Sequence, residues 1–195
     1  MHCMKTILIC NQKGGVGKTL IADELAFALE RDNIPYSFFD LDEQGSAIHK
    51  TIENQDAEIR IIDTPGSLQK NLLKWIDESD MVIVPTMMSN RDAEPLERMI
   101  RILKPYEAKG KPVLYVFNRW NRRFNIVKDF INWFQTKYPN LHTAVLCDST
   151  QFNTAGAYRQ SIFDYQKTCL GARQIGEIYG RVKYHLNTKE KWRTK

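Results

Sequence analysis

No stretch of this chain approaches the roughly 20 consecutive apolar residues that a membrane-spanning helix requires. The start, Met1-His2-Cys3-Met4-Lys5, runs straight into an apolar segment, with no visible signal peptide. Cysteine is scarce. Cys3, Cys10, Cys147 and Cys169 are scattered with no Cys-x-x-Cys pair, which reads as reduced thiols in a cytoplasmic protein. His2, His49, His142 and His185 are isolated and show no metal-ligand spacing. Internal repeats and low-complexity segments are missing as well, which leaves an ordinary globular composition: 195 residues, 43% hydrophobic and 26% charged. That length suits one α/β domain with a proper core. We expect that domain over 1–186, with a basic tail over 187–195. The net charge of +5 is compatible with a polyanionic partner, and a solvated basic surface explains it equally well.

What is present is concentrated in one stretch, Asn11-Gln12-Lys13-Gly14-Gly15-Val16-Gly17-Lys18-Thr19. A β-branched apolar run, Thr6-Ile7-Leu8-Ile9-Cys10, precedes it, and a helical pattern through Leu25, Ala28 and Leu29 follows. Strand, glycine-rich turn and helix is the context of a phosphate-binding loop. Backbone N–H groups and a helix N-terminus favour phosphate, and glycine lets the backbone approach closely. Nucleotide-binding candidates are therefore Lys13, Gly14, Gly15, Val16, Gly17, Lys18, Thr19 and Leu20. Lys18 is placed to reach the β- and γ-phosphates and the Thr19 hydroxyl to ligate Mg²⁺.

Two more strand ends carry aspartates. Tyr36-Ser37-Phe38-Phe39-Asp40 leads into Leu41-Asp42-Glu43-Gln44-Gly45-Ser46, and Ile59-Arg60-Ile61-Ile62-Asp63 leads into Thr64-Pro65-Gly66. Acidic residues at strand C-terminal ends sit where doubly wound sheets keep their ligands. An apolar strand ending in aspartate is the Walker B arrangement, so Asp63 is a metal candidate. The pattern predicts further strands over 80–85, 112–117 and 142–146. It predicts helices over 17–31, 67–77, 91–108, 124–138 and 172–186, and another starting near Thr150. The implied fold is α/β, a doubly wound, mostly parallel sheet with helices on both faces.

The loop departs from the generic G-x-x-x-x-G-K-[ST] pattern, with Gln12 at the first glycine and a second lysine, Lys13. In that form, K-G-G-V-G-K-T, it resembles the deviant Walker A motif of the ParA/MinD family of dimeric ATPases. The run from Asp40 resembles the family's D-x-D-P-Q-G segment, with Glu43 in place of proline. Val82-Ile83-Val84-Pro85 and Ser161-Ile162-Phe163-Asp164-Tyr165 resemble further family elements, so the likeness runs from Lys5 to about Leu186. The resemblance implies ATP and Mg²⁺ as ligands, with catalytic roles for Lys13, Lys18 and Asp42. Asp42 orients the attacking water, Lys13 reaches the partner's nucleotide in an ATP-bound homodimer, and Thr19, Asp40 and Asp63 serve the metal. Asp-Thr-Pro-Gly also satisfies the D-x-x-G pattern of GTPases. The guanine-reading N-K-x-D segment is replaced by Asn118-Arg119-Trp120-Asn121, which favours ATP. Asn118 resembles the asparagine that contacts adenine in ParA-like proteins.

The family likeness implies slow turnover, a partition role and an activating partner such as a centromere-binding protein. Candidate contacts to DNA phosphates are Arg119, Arg122 and Arg123 beside Trp120, and Arg181 and Lys183 near the basic tail. Each cluster reads equally well as a solvated fringe, and the first also as contacts to the nucleotide. There is no room before Lys5 for a helix-turn-helix, so any DNA binding is expected to be sequence-independent. Asp148 reads as a contact to adenine or ribose, or as a helix cap. The tail has one aromatic among charges, which disfavours membrane targeting. Two other functions stay open. One is a ParA-like ATPase that positions a conjugation or secretion complex without DNA. The other is a small-molecule ATP-dependent enzyme of the same lineage.

Overall fold

The computed structural model describes residues 4–42, 47–66 and 71–186. Its strands are β1 (Lys5–Ile9), β2 (Tyr36–Asp40), β3 (Ile59–Asp63), β4 (Met81–Thr86), β5 (Val113–Trp120) and β6 (Thr143–Cys147). Its helices are α1 (Lys18–Arg31), α2 (Leu72–Glu78), α3 (Asn90–Glu107), α4 (Asn125–Lys137), α5 (Thr150–Ala157), α6 (Ile162–Gln166) and α7 (Leu170–His185). The apolar runs of the central strands are buried on both faces, as a sheet covered by helices requires. Across the pleat, Ile7, Ile9, Phe38, Ile61 and Ile83 join the core made with α1, α5 and α7. Leu8, Ile62, Val82, Val84, Tyr115 and Phe117 join the core made with α2, α3 and α4. Phe117, Phe130 and Phe134 form an edge-to-face aromatic group in the second core.

The strand order is β2-β3-β1-β4-β5-β6, and every pairing is parallel. The order reverses at β1, so the loop after β1 opens at a topological switch point, where doubly wound sheets bind ligands. Register then aligns the carboxylates: Asp63 pairs with Ile9 on one side and with Asp40 on the other.

Several element boundaries differ from the sequence expectation. The first positions of the helix expected over 67–77 fall on 67–70, which lie outside the described residues, as do 43–46 and the tail. The strand expected to stop at Pro85 continues to Thr86, and Pro85 pairs with Val116. β5 extends to Trp120 through an irregularity in which Arg119 takes a left-handed φ of 54°. Trp120 thereby pairs with Cys147 and packs, partly buried, against the core. On α4 the buried stripe is Val127, Phe130 and Phe134, whereas Ile126 is 44% exposed. Ser149, not Asp148, caps α5, accepting from the Gln151 N–H. The short α6 was not expected. Ser161 caps it, accepting from the Asp164 N–H at 3.0 Å.

α1 carries two consecutive buried acids. The Asp23 carboxylate accepts the backbone N–H of Ile48 (2.9 Å) and of His49 (3.0 Å), and contacts His49 Nδ1 at 2.7 Å. Glu24 Oε1 accepts the Ile162 N–H at 2.8 Å, while Oε2 is buried without a partner among the described residues. Burial raises the Glu24 pKa from 4.5 to about 7. The folded state therefore holds this proton more tightly than the unfolded chain. The associated stability is present below about pH 4.5 and is lost as pH rises through about 7. Glu24→Gln is expected to be more stable than the parent above pH 7 by about 1–3 kcal/mol, with the gap closing toward pH 4.5. Urea midpoints on either side of that window check this, and equal midpoints at both pH values would contradict it.

Candidate functional site

Between β1 and α1 the chain makes a turn that only glycine tolerates well. Gly15 and Gly17 have φ of 71° and 95°, in the left-handed region. Gly66, from the Asp63-Thr64-Pro65-Gly66 segment, packs directly on the loop. A Cβ there would lie 2.9 Å from the Gly14 nitrogen and 3.0 Å from its Cα. Asn11 braces the loop from below, its Nδ2 donating to the Pro85 carbonyl (2.7 Å) and its Oδ1 accepting the Lys13 N–H (3.0 Å). The sequence reading assigned Asn11 no role, and nothing in the motif distinguishes it from a neutral position.

Lys18 begins α1 and is buried, its Nζ donating to the Lys13 carbonyl at 3.4 Å. Burial lowers its pKa, opposed by the charges of Asp63 and Asp42, then of Cys10. Thr19 Oγ1 donates to Asp63 Oδ2 at 2.6 Å. Asp63 is fully buried, and burial lifts its pKa to about 7; Asp40 and Asp23 add to the rise, and the Thr19 hydroxyl and Lys18 oppose it. Its Oδ1 has no hydrogen-bond partner among the described residues. A buried, unpartnered carboxylate oxygen beside a hydroxyl and a second carboxylate fits a hard divalent cation such as Mg²⁺. Among the described residues no three His, Cys, Asp or Glu side chains could hold a metal by themselves. Asp40, aligned with Asp63, accepts the Asp42 N–H at 2.9 Å and so sets the turn that carries Asp42.

Lys13 turns back onto its own chain. Its Nζ bonds the carboxylate of Asp92 and lies 3.4 Å from the Arg91 carbonyl. Both acceptors are explained by α3. Asp92 accepts from the Ser89 N–H (3.1 Å) and the Ser89 hydroxyl at the helix start. Pro95 has no N–H to offer the carbonyl four residues earlier, which leaves the Arg91 oxygen for Lys13. Asp92 was missed from sequence, although Ser89-x-x-Asp92 is a legible helix-start signature.

Asn118 lies under the loop with both ends of its amide engaged. Nδ2 donates to the Val16 carbonyl (2.9 Å), and Oδ1 accepts the Arg119 N–H (2.8 Å). In this arrangement it holds the loop; an adenine contact would have to share that amide. Arg119, Arg122 and Arg123 are exposed at the same edge of the sheet. Arg181 and Lys183 lie elsewhere. The end of α7 meets the start of β6, where the His142 and His185 rings are 5.3 Å apart, at the opposite edge. Lys183 is half-buried, 3.4 Å from Asp32 and over the Tyr179 ring, whereas Arg181 is exposed. The structure thus gathers Lys13, Lys18, Thr19, Asp40, Asp42, Asp63 and Asn118 around one loop, and separates the two basic clusters.

A model of the CobQ/CobB/MinD/ParA nucleotide-binding domain matches residues 7–162. The chain belongs to this family. Solved structures of the ParA/MinD type share the fold. A McdA–ATP complex from Cyanothece superposes with a TM-score of 0.73 at 17% identity, covering 94% of this chain and 96% of that one. The septum site-determining protein MinD from Pyrococcus horikoshii, complexed with Mg-ADP, gives 0.72 at 15% identity, covering 97% and 100%. A putative plasmid partition protein from Borrelia burgdorferi, bound to AMPPNP, gives 0.66 at 16%, covering 96% and 100%. No protein of curated function matches the sequence. Among the described residues of this ParA/MinD-family chain, no helix is long and apolar enough to cross a membrane.

Proposed function

We propose that the protein is a Mg²⁺-dependent ATPase that works as a dimerising switch in plasmid or chromosome partition. The observation that carries this reading is the convergence on one glycine loop of Lys18, the Thr19–Asp63 pair with its unpartnered Oδ1, and Asp42. The loop amides of residues 13–20 and the Lys18 ammonium would bind the phosphates. Thr19 and Asp63, with Asp40 behind them, would hold Mg²⁺, which when bound neutralises charge developing on the phosphates. Asp42 would orient water for in-line attack. The absent N-K-x-D segment speaks for ATP over GTP. Lys13 would leave Asp92 and serve the partner's nucleotide, so that ATP favours the dimer and hydrolysis, slow without an activating protein, releases it. The dimer would bind DNA without sequence preference, as the +5 net charge and exposed arginines allow, in a cytoplasmic setting.

Binding of the Asp42→Ala protein to random-sequence duplex DNA tests this. Affinity is expected with ATP but not with ADP or without nucleotide, and is expected to fall steeply with salt. A second reading, positioning of a protein complex, is favoured by one observation. Phe124 and Ile126 are 55% and 44% exposed next to Arg122 and Arg123, an apolar and basic surface suited to a protein. ATP-dependent dimers with no DNA affinity would select it.

A further inference from the structure

At the edge of the sheet away from the nucleotide loop, α7 and the start of β6 enclose an open cavity of about 480 Å³. Its walls are His142, Glu177, Gly180, Arg181, Tyr184 and His185. Three groups able to carry positive charge converge here. The His142 and His185 rings are 5.3 Å apart and inclined at 60°, so they do not stack. Arg181 is exposed on the same wall. The acid on that wall, Glu177, makes no ion pair among the described residues. Convergent like charges around an open space are unfavourable by themselves and are relieved when an anion enters. Burial, and after it His142 and Arg181, holds the His185 imidazole below its ordinary pKa.

The remaining walls suit a polymer better than a free ion. Tyr184, 60% exposed and edge-on to His185, offers an apolar ring beside the charge. Gly180 leaves the floor open, since a Cβ there would meet nothing within 4 Å.

We propose that this cavity is a phosphodiester site for nucleic acid, with Arg181, His142 and His185 as its donors. The inference rests on the reading that the ATP-bound protein binds DNA, and it places that contact on the α7–β6 edge instead of the Arg119–Arg123 turn. Phosphate in the cavity favours the protonated form of His185, which burial and its neighbours otherwise disfavour, so affinity rises as pH falls. The groups that face His185 are His142 from the start of β6 and Glu177, Arg181 and Tyr184 from α7.

The test measures binding of full-length Asp42→Ala protein with ATP to random-sequence duplex DNA, by anisotropy, across a salt series at pH about 5.5 and about 8, the lower value chosen because His185 is held below histidine's ordinary pKa. Adding Arg181→Ala is expected to weaken binding about 10-fold and lower the salt slope by about one. Adding His142→Asn with His185→Asn is expected to abolish the gain in affinity at the lower pH. Gly180→Leu changes no charge but fills the cavity, and is expected to weaken binding while ATP-driven dimerisation persists. Parent-like affinity, slope and pH response in all three variants would overturn the inference while leaving DNA binding intact. A parent that binds no DNA in any nucleotide state would overturn the DNA reading, and this inference with it.

Discussion

Lys18→Ala is expected to reduce ATP affinity by about 100-fold or more, because on the proposed reading it removes charge-assisted bonds to two phosphates, each worth about 1.5–3 kcal/mol. The substitution also changes Asp63. Lys18 is one of the charges that hold the Asp63 pKa down against burial. Without it the carboxyl moves further up and becomes a poorer metal ligand at neutral pH. Loss of nucleotide and loss of Mg²⁺ dependence should therefore appear together. Titration calorimetry with ATP, with and without Mg²⁺, checks this; an unchanged affinity would remove the loop from the site.

The second large effect is expected at Gly17. Its φ of 95° is strained for any other residue, and an added Cβ would lie 2.1 Å from Asn118 Nδ2. Gly17→Ala must therefore expel the amide that holds the Val16 carbonyl, leaving a buried acceptor unpaired. Left-handed strain of about 1–2 kcal/mol adds to a lost buried bond of about 1–3 kcal/mol, so a total near 3 kcal/mol is expected. Gly110→Ala separates the two contributions. Gly110 has a φ of 87° but nothing within 4 Å of its Cβ position, so only the strain applies. In thermal melts Gly17→Ala should lie several degrees below Gly110→Ala, at about 2–4 °C per kcal/mol for a domain of this size. Equal melting points would mean that Asn118 moves aside freely and does not hold the loop.

These two residues show which parts of the site could be read before the structure. The places of Lys18 and Thr19 at the junction of a glycine loop and a helix, and of Asp40 and Asp63 at strand ends, were legible because hydrophobic runs mark where strands stop and helices start. The doubly wound arrangement followed from strands alternating with helices, and the observed sheet is wholly parallel. Contacts made at a distance along the chain were not legible. Lys13 finds Asp92, Asn11 finds Pro85 and Asn118 finds Val16, at sequence separations of 79, 74 and 102. Such pairings depend on strand order, which local pattern does not encode. The pairing of Trp120 with Cys147 was missed for a related reason: the left-handed turn at Arg119 lets β5 continue, and a strand with an irregularity looks like a strand followed by a loop. The separation of Arg181 from the other arginines likewise needed the direction of α7 across the sheet.

Lys13 offers the most direct test of the whole account. In the single chain it is held by Asp92, yet the proposed switch requires it to act on a partner's nucleotide. The decisive measurement is the mass of the Asp42→Ala protein by light scattering with ATP and with ADP, alone and combined with Lys13→Ala. The account predicts a dimer with ATP only, and a monomer in every state once Lys13 is removed. A protein that stays monomeric with ATP, or that dimerises fully without Lys13, would contradict it.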